Sequence, residues 1–364
     1  MGPVSSPTST PHPSHERTRS HPGWFSGVMG TAALATAAFR LPSDAGAVDV
    51  TGNVLGWALL GLSIVGLLVI VAANLLAPTP RQLLWKDLGS REKGPAYAAI
   101  PGAVLTVVLA TEAGLPNLAS LSVVAWILLF VTLIVAGADL LLTMVFFASA
   151  IANRGKLEQG ALSGVWFMPQ TVLLLSATTL ARLSVEPSTA IAEVAAPLAV
   201  LFLGAGFLLF LLVGALVLGR LITEPMFQTS GIPSAWIMMS PAAASALAFI
   251  AIPLVTPTLL DAQSQTVTSV TSLMAGAMIG FSLWWLMVVT MLTIRLRQEA
   301  REFTPSSWGF VFPLAAVAVA SGGLAQTWES FLMDILAIVM AALGTVVWCV
   351  VAYSTLRWLA ARRG

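Results

Sequence analysis

The residues able to do chemistry in this chain are few. Asp139 is the one acid well inside an apolar run, and Cys349 is the single cysteine. The histidines, His12, His15 and His21, all precede the first apolar run. One cysteine excludes an intramolecular disulfide and any cysteine-based metal or iron–sulfur site. A membrane enzyme would need convergent His, Asp, Glu or Cys side chains, and Asp139 and Cys349 lie on different runs. No glycine-rich loop ends in Gly-Lys-Ser/Thr, so ATP is not expected to act through this chain. The inventory points away from catalysis, metals and cofactors.

The elements that carry these residues follow from composition. Of 364 residues, 57% are hydrophobic and only 9% charged, with a mean hydropathy of +0.90. So few charges cannot cover a soluble surface of this size, which implies a polytopic membrane protein. A net charge of +1 gives no electrostatic case for nucleic acid. Residues 1–20, rich in Ser, Pro and Thr, read as a disordered tail. Ten apolar stretches follow, at about 22–41, 53–77, 97–115, 119–149, 161–182, 191–222, 234–256, 266–295, 306–325 and 330–357. They define an expected membrane domain over 21–358, with 359–364 as a second tail. Arg17, Arg19 and the run ending at Ala45-Gly46-Ala47 imitate a cleavable signal peptide. Its removal would leave nine spans and delete the first unit of the repeat described next.

The odd-numbered stretches are shorter and carry Pro, Gly, Ser and Thr; the even ones are longer and aliphatic. Gly30, Pro101, Pro169, Pro241 and Pro313 recur at spacings of 71, 68, 72 and 72 residues. Trp24, Tyr97, Trp166, Trp236 and Trp308 precede them by three to six residues. This predicts an all-α fold of ten transmembrane helices in five quasi-repeated hairpins. Pro frees a backbone carbonyl that is costly against lipid, so the odd helices are expected inside, around a central pore, with the even ones outside. Ser26, Thr31, Thr106, Gln170, Thr171, Ser240 and Ser245 lie on the odd helices as candidate pore-lining groups; such residues also serve helix packing. No Asp or Glu lies in the body of an odd helix, and the five helix N-termini gather at one mouth, which favours anions.

Charge sets the orientation. Fifteen of the seventeen basic residues fall on one side, and only Arg40 and Arg182 on the other, which holds Asp44, Asp49, Glu112, Glu186, Glu193 and Asp261. The positive-inside rule then places both termini in the cytoplasm, in the cell (plasma) membrane. Arg40 and Arg182 read as snorkelling anchors at helix ends, or as groups that draw anions to the outer mouth. Asp139 is either a proton-coupling group or a structural one bonded to an inner helix, and its outer helix favours the second.

Three segments resemble one known family. Pro22-Gly23-Trp24-Phe25-Ser26-Gly27-Val28-Met29-Gly30-Thr31, Pro233-Ser234-Ala235-Trp236 through Ser240-Pro241, and Trp308-Gly309-Phe310-Val311-Phe312-Pro313-Leu314 are similar to helices one, seven and nine of the tellurite-resistance/dicarboxylate transporters, which include plant slow anion channels. The resemblance implies a homotrimer with one pore per subunit, each occluded by a phenylalanine that would here be Phe312. Phe310 is the rival, and an ordinary packing ring the plain alternative. The chain departs from the family at Gly94-Pro95 and Pro241-Ala242, where many members carry His-Pro and a double Pro. The expected activity is passage of small inorganic or organic anions down their electrochemical gradient. The alternative is a proton-coupled carrier of C4-dicarboxylates, sulfite or tellurite-type oxyanions, and an integral-membrane enzyme is the remote one.

Overall fold

The computed structural model describes residues 22–41, 46–76, 81–91, 93–118, 120–152, 162–185, 188–223, 231–260, 264–296 and 303–361. The histidines, the tail at 1–20 and the basic residues Arg17, Arg19, Arg154, Lys156, Arg297, Arg301, Arg362 and Arg363 lie outside them, as do Asp44, Glu186 and Asp261. In hydrocarbon a chain must satisfy its backbone internally, and a helix does so within one segment. The described elements are accordingly helical, with no strand among them.

Five long helices are nearly uninterrupted aliphatic runs: α2 (Gly46–Leu76), α5 (Ser122–Ala152), α7 (Thr189–Thr223), α11 (Ser264–Arg295) and α13 (Phe331–Ala361). At 31 to 35 residues they measure about 45–50 Å, longer than the hydrocarbon they cross. Five shorter helices alternate with them: α1 (Gly23–Phe39), α4 (Ala99–Gly114), α6 (Met168–Leu183), α9 (Met239–Ala251) and α12 (Val311–Trp328). Three small ones complete the set: α3 (Arg81–Leu88), α8 (Gly231–Trp236) and α10 (Thr256–Leu260). The short helix α3 falls where the sequence suggested only a loop.

Nine segments among the described residues are long and apolar enough to cross a membrane. The remaining expected stretch is α1, whose helix has 17 residues. In the spans Gly164–Leu183 and Pro305–Trp328 the most apolar stretch is 94% and 89% buried, against 22–33% for the five long helices. The long helices are therefore the lipid-facing layer.

The short helices form a closed ring: α1 packs on α4, α4 on α6, α6 on α9, α9 on α12, and α12 on α1. Each long helix covers one seam of that ring. Helix α2 bridges α1 and α4, α5 bridges α4 and α6, α7 bridges α6 and α9, α11 bridges α9 and α12, and α13 bridges α12 and α1.

The rings of Trp24, Phe303 and Trp358 meet with centroids 5.8–6.5 Å apart, so the start of α1 and the end of α13 share one side. This is the terminal face; the other is the far face. All five ring helices begin at the terminal face, and tryptophans secure their starts. Trp166 Nε1 donates to the Arg91 carbonyl at 2.9 Å, Trp236 Nε1 to Thr293 Oγ1 at 3.0 Å, and Trp285 Nε1 to the Ala235 carbonyl at 2.8 Å. The Arg91 guanidinium donates to the Ala150 carbonyl at the end of α5, satisfying a helix C-terminus.

Gly30 lies within the unbroken helix α1, where it permits close approach to α12. A Cβ there would sit 2.9 Å from Val311 Cβ and 3.3 Å from the Phe312 backbone nitrogen. Gly30→Ala is therefore expected to cost about 1–3 kcal/mol by overpacking. Gly61→Ala on α2, where a Cβ meets nothing within 4 Å, is the neutral control. Thermal unfolding of the detergent-solubilised proteins checks this: equal midpoints for both variants would refute the close-contact role.

Candidate functional site

A cavity of about 30 Å³ lies on the axis of the ring. It is lined by Ala33, Thr36 and Arg40 of α1, Thr106 and Leu109 of α4, Leu175, Thr178 and Arg182 of α6, Leu247 of α9, and Phe312, Ala316 and Val319 of α12. All five ring helices contribute, and the volume exceeds what one water molecule needs. Register along the helices gives the cavity its ends. Phe312, on the second residue of α12, closes the side toward the terminal face; Arg40 and Arg182, at the ends of α1 and α6, stand at the far face.

The two candidate gate rings part company here. Phe312 is buried and lines the cavity. Phe310 packs edge-on against Trp236, with centroids 5.3 Å apart and planes at 80°. Two residues on a helix are about 200° apart, so one ring turns inward and the other toward α8.

The repeated prolines open the ring helices. Pro169 is the second residue of α6, and Pro101, Pro241 and Pro313 are the third residues of α4, α9 and α12. In the first turn a proline's missing N–H has no intrahelical partner to lose. The irregular backbone lies just ahead, in the 3-10 turns Gly94–Ala98, Gly164–Phe167 and Pro305–Phe310 and in α8. Each interruption is thus confined to the terminal-face end of its helix.

The polar candidates divide by register. Thr106 lines the cavity. Ser26 stands seven residues before Ala33, Thr171 four before Leu175, and Ser240 seven before Leu247, so these three share the axial face toward the terminal side. Thr31 instead accepts a hydrogen bond from Trp348 Nε1 of α13 at 2.9 Å, which ties it to the outer layer. Ser245 is two residues off the Leu247 register and donates to the Pro241 carbonyl at 2.7 Å. Gln170 is fully buried and off the axial face, and its backbone carbonyl lies beside Gly206 of α7. Asp139 is fully buried on the inward stripe of α5 with Val135, Ala136, Thr143 and Phe146, and it does not reach the cavity lining.

Four polar lining residues escaped the sequence reading: Thr36, Arg40, Thr178 and Arg182. The signal was present. Thr36 and Arg40 repeat the spacing of Thr178 and Arg182, a Thr followed four residues later by Arg at the end of a ring helix. The arginines are cavity residues, so the snorkelling role does not describe them. Glu112 of α4 lies between them in the ring, with Oε2 4.0 Å from Arg182 Nη1, and Arg40 is within electrostatic reach of both. Among the described residues no group of three or more His, Cys, Asp or Glu could hold a metal. Cys349 is exposed on α13.

A five-helix ring, an axial cavity with cationic far end and an aromatic plug suit passage of a small anion, not turnover of a substrate. A family model described as the SLAC1 voltage-dependent anion channel matches residues 19–356. The chain belongs to this family. An uncharacterized transporter of Methanocaldococcus jannaschii is 29% identical over 119 residues, which is 32% of this chain and 33% of that protein. The match thus spans a third of that relative's length. Family membership spans the ring and its outer layer together, while the match to the archaeal transporter covers only part of them.

Proposed function

We propose that this protein conducts small anions across the membrane along the axis of the helix ring, driven by the electrochemical gradient, with Phe312 as the gate. The observation that carries this reading is the position of Phe312 at one end of a cavity lined by all five ring helices. An apolar ring there blocks an ion by denying it hydration. On the far side of the plug, the described lining carries two cationic side chains and no acid, which favours anions over cations.

The membrane domain is the ten-helix unit over 21–358, with α1 as the first span and five hairpins in succession. The distribution of basic residues supports cytoplasmic termini in the plasma membrane, and the resemblance supports a homotrimer with one pathway per subunit. The protein acts as a conduit without enzymatic chemistry.

Phe312→Ala should raise anion current in planar bilayers severalfold or more without changing the order of anion preference, because the arginines and helix dipoles remain. Phe310→Ala should leave current near wild type. Correctly folded Phe312→Ala protein with wild-type current would sink the gate assignment.

Topology has its own check in a Cys349→Ala background. Ser90→Cys should react with a membrane-impermeant maleimide only from the cytoplasm, and Asn117→Cys only from outside. The reverse pattern would invert the orientation.

A second reading, proton-coupled carriage of dicarboxylates, sulfite or tellurite-type oxyanions, rests on Asp139. Neither of its carboxyl oxygens has a hydrogen-bond partner among the described residues. Its place away from the cavity supports passive conduction. Asp139→Asn should therefore leave flux at zero potential unchanged across imposed pH gradients, measured with a labelled anion in liposomes. Loss of pH-driven flux in a folded variant would establish coupling.

A further inference from the structure

We propose that Arg40, Arg182 and Glu112 form an anion-capture station at the far-face end of the axial cavity, selective for compact oxyanions over halides. The proposal rests on the central-pathway reading and adds the site at which the ion is first held and the class of ion it prefers.

The three groups come from three consecutive helices of the ring: Arg40 ends α1, Glu112 lies in the last turn of α4, and Arg182 is the penultimate residue of α6. Both arginines line the cavity. The Arg182 side chain retains 33% exposure, so its guanidinium meets solvent at the mouth, whereas that of Glu112 retains 9%. Two guanidiniums and one carboxylate leave a net single positive charge within the reduced dielectric of a membrane protein. There it attracts an anion far more strongly than it would in water.

Guanidinium presents a planar fork of donors that pairs with two oxygens of one anion. Nitrate, sulfite and small carboxylates offer such an edge; chloride offers a single sphere. A cavity of about 30 Å³ admits only a compact ion of this type. Glu112 is itself a carboxylate beside this fork. At 4.0 Å from Arg182 Nη1 it is an ion-pair partner held beyond hydrogen-bond length. An arriving oxyanion replaces it as the closer partner of Arg182, and the carboxylate's repulsion then limits how long the ion stays. Thr36 and Thr178, one turn deeper on the same two helices, line the next step toward Phe312.

The test separates binding from flux. Nitrate and chloride, at matched ionic strength, are titrated against the thermal midpoint of detergent-solubilised protein, since a ligand of the folded state raises that midpoint saturably. Wild type should respond to nitrate at a concentration several-fold below chloride. Arg40→Gln and Arg182→Gln should each raise the half-saturating nitrate concentration about tenfold or more, and Glu112→Gln should lower it. Arg182→Lys, which keeps the charge without the fork, should retain anion binding and lose the preference for nitrate. Flux of both anions is measured on the same variants in a Phe312→Ala background. Altered nitrate binding with no flux in any of them would retain the station and reject the central pathway. Intact flux, with nitrate binding unchanged in both glutamine variants at arginine positions, would reject the station and retain the pathway. A rise in half-saturation for Glu112→Gln would overturn the role of Glu112 as the displaced partner.

Discussion

Backbone hydrogen bonding in hydrocarbon is the constraint from which this architecture follows. An amide group facing lipid without a partner costs several kcal/mol, so the lipid-facing layer consists of long helices with few interruptions. Irregular backbone is permitted only where protein or water answers it. The 3-10 turns ahead of α4, α6 and α12 obey this rule: they lie together at the terminal face, under tryptophans whose indole N–H groups bond across helices. The aromatic residue that precedes each repeat position is thus a fastener for the interrupted backbone as well as an interfacial ring.

Close packing between α1 and α12 links this scaffold to the proposed gate. Gly27 lies against the Trp308 ring, where a Cβ would fall 3.1 Å from Cδ2, and Gly30 lies against Val311 and the Phe312 nitrogen. The backbone that carries Phe312 is therefore held by a neighbouring helix without intervening side chains. On the other side of α12, Phe310 is engaged by Trp236. Such a segment has little freedom to drift, so opening at Phe312 is more naturally a rotation of the ring about its side-chain bonds than a movement of the helix.

Charge is placed with similar economy. The ring helices present their N-termini at the terminal face and two arginines near their C-termini at the far face. Cations at a helix C-terminus compensate the dipole locally, and the same guanidiniums line the cavity. Between these ends the lining is mostly alanine, leucine and valine with threonine hydroxyls, a surface that holds an ion weakly enough for it to leave.

Composition and hydropathy by themselves determined that this chain is an all-α membrane protein. The spacing of Gly30, Pro101, Pro169, Pro241 and Pro313 marked out the five helices that form the ring. These are properties of local sequence, because the length of an apolar run and the chemistry of proline act over one helix. Which face of each ring helix meets the axis was decided by the tertiary structure. A ring helix is buried on nearly every side, so its sequence carries no polar stripe to mark a direction. Thr31 and Thr36 look equivalent in sequence, yet five residues rotate them about 140° apart, and one bonds Trp348 while the other lines the cavity. Arg40 and Arg182 appeared as anchors at helix ends for the same reason: an arginine that reaches toward headgroups and one that reaches into a central mouth occupy the same place in the sequence, and only the closure of five helices around an axis tells them apart.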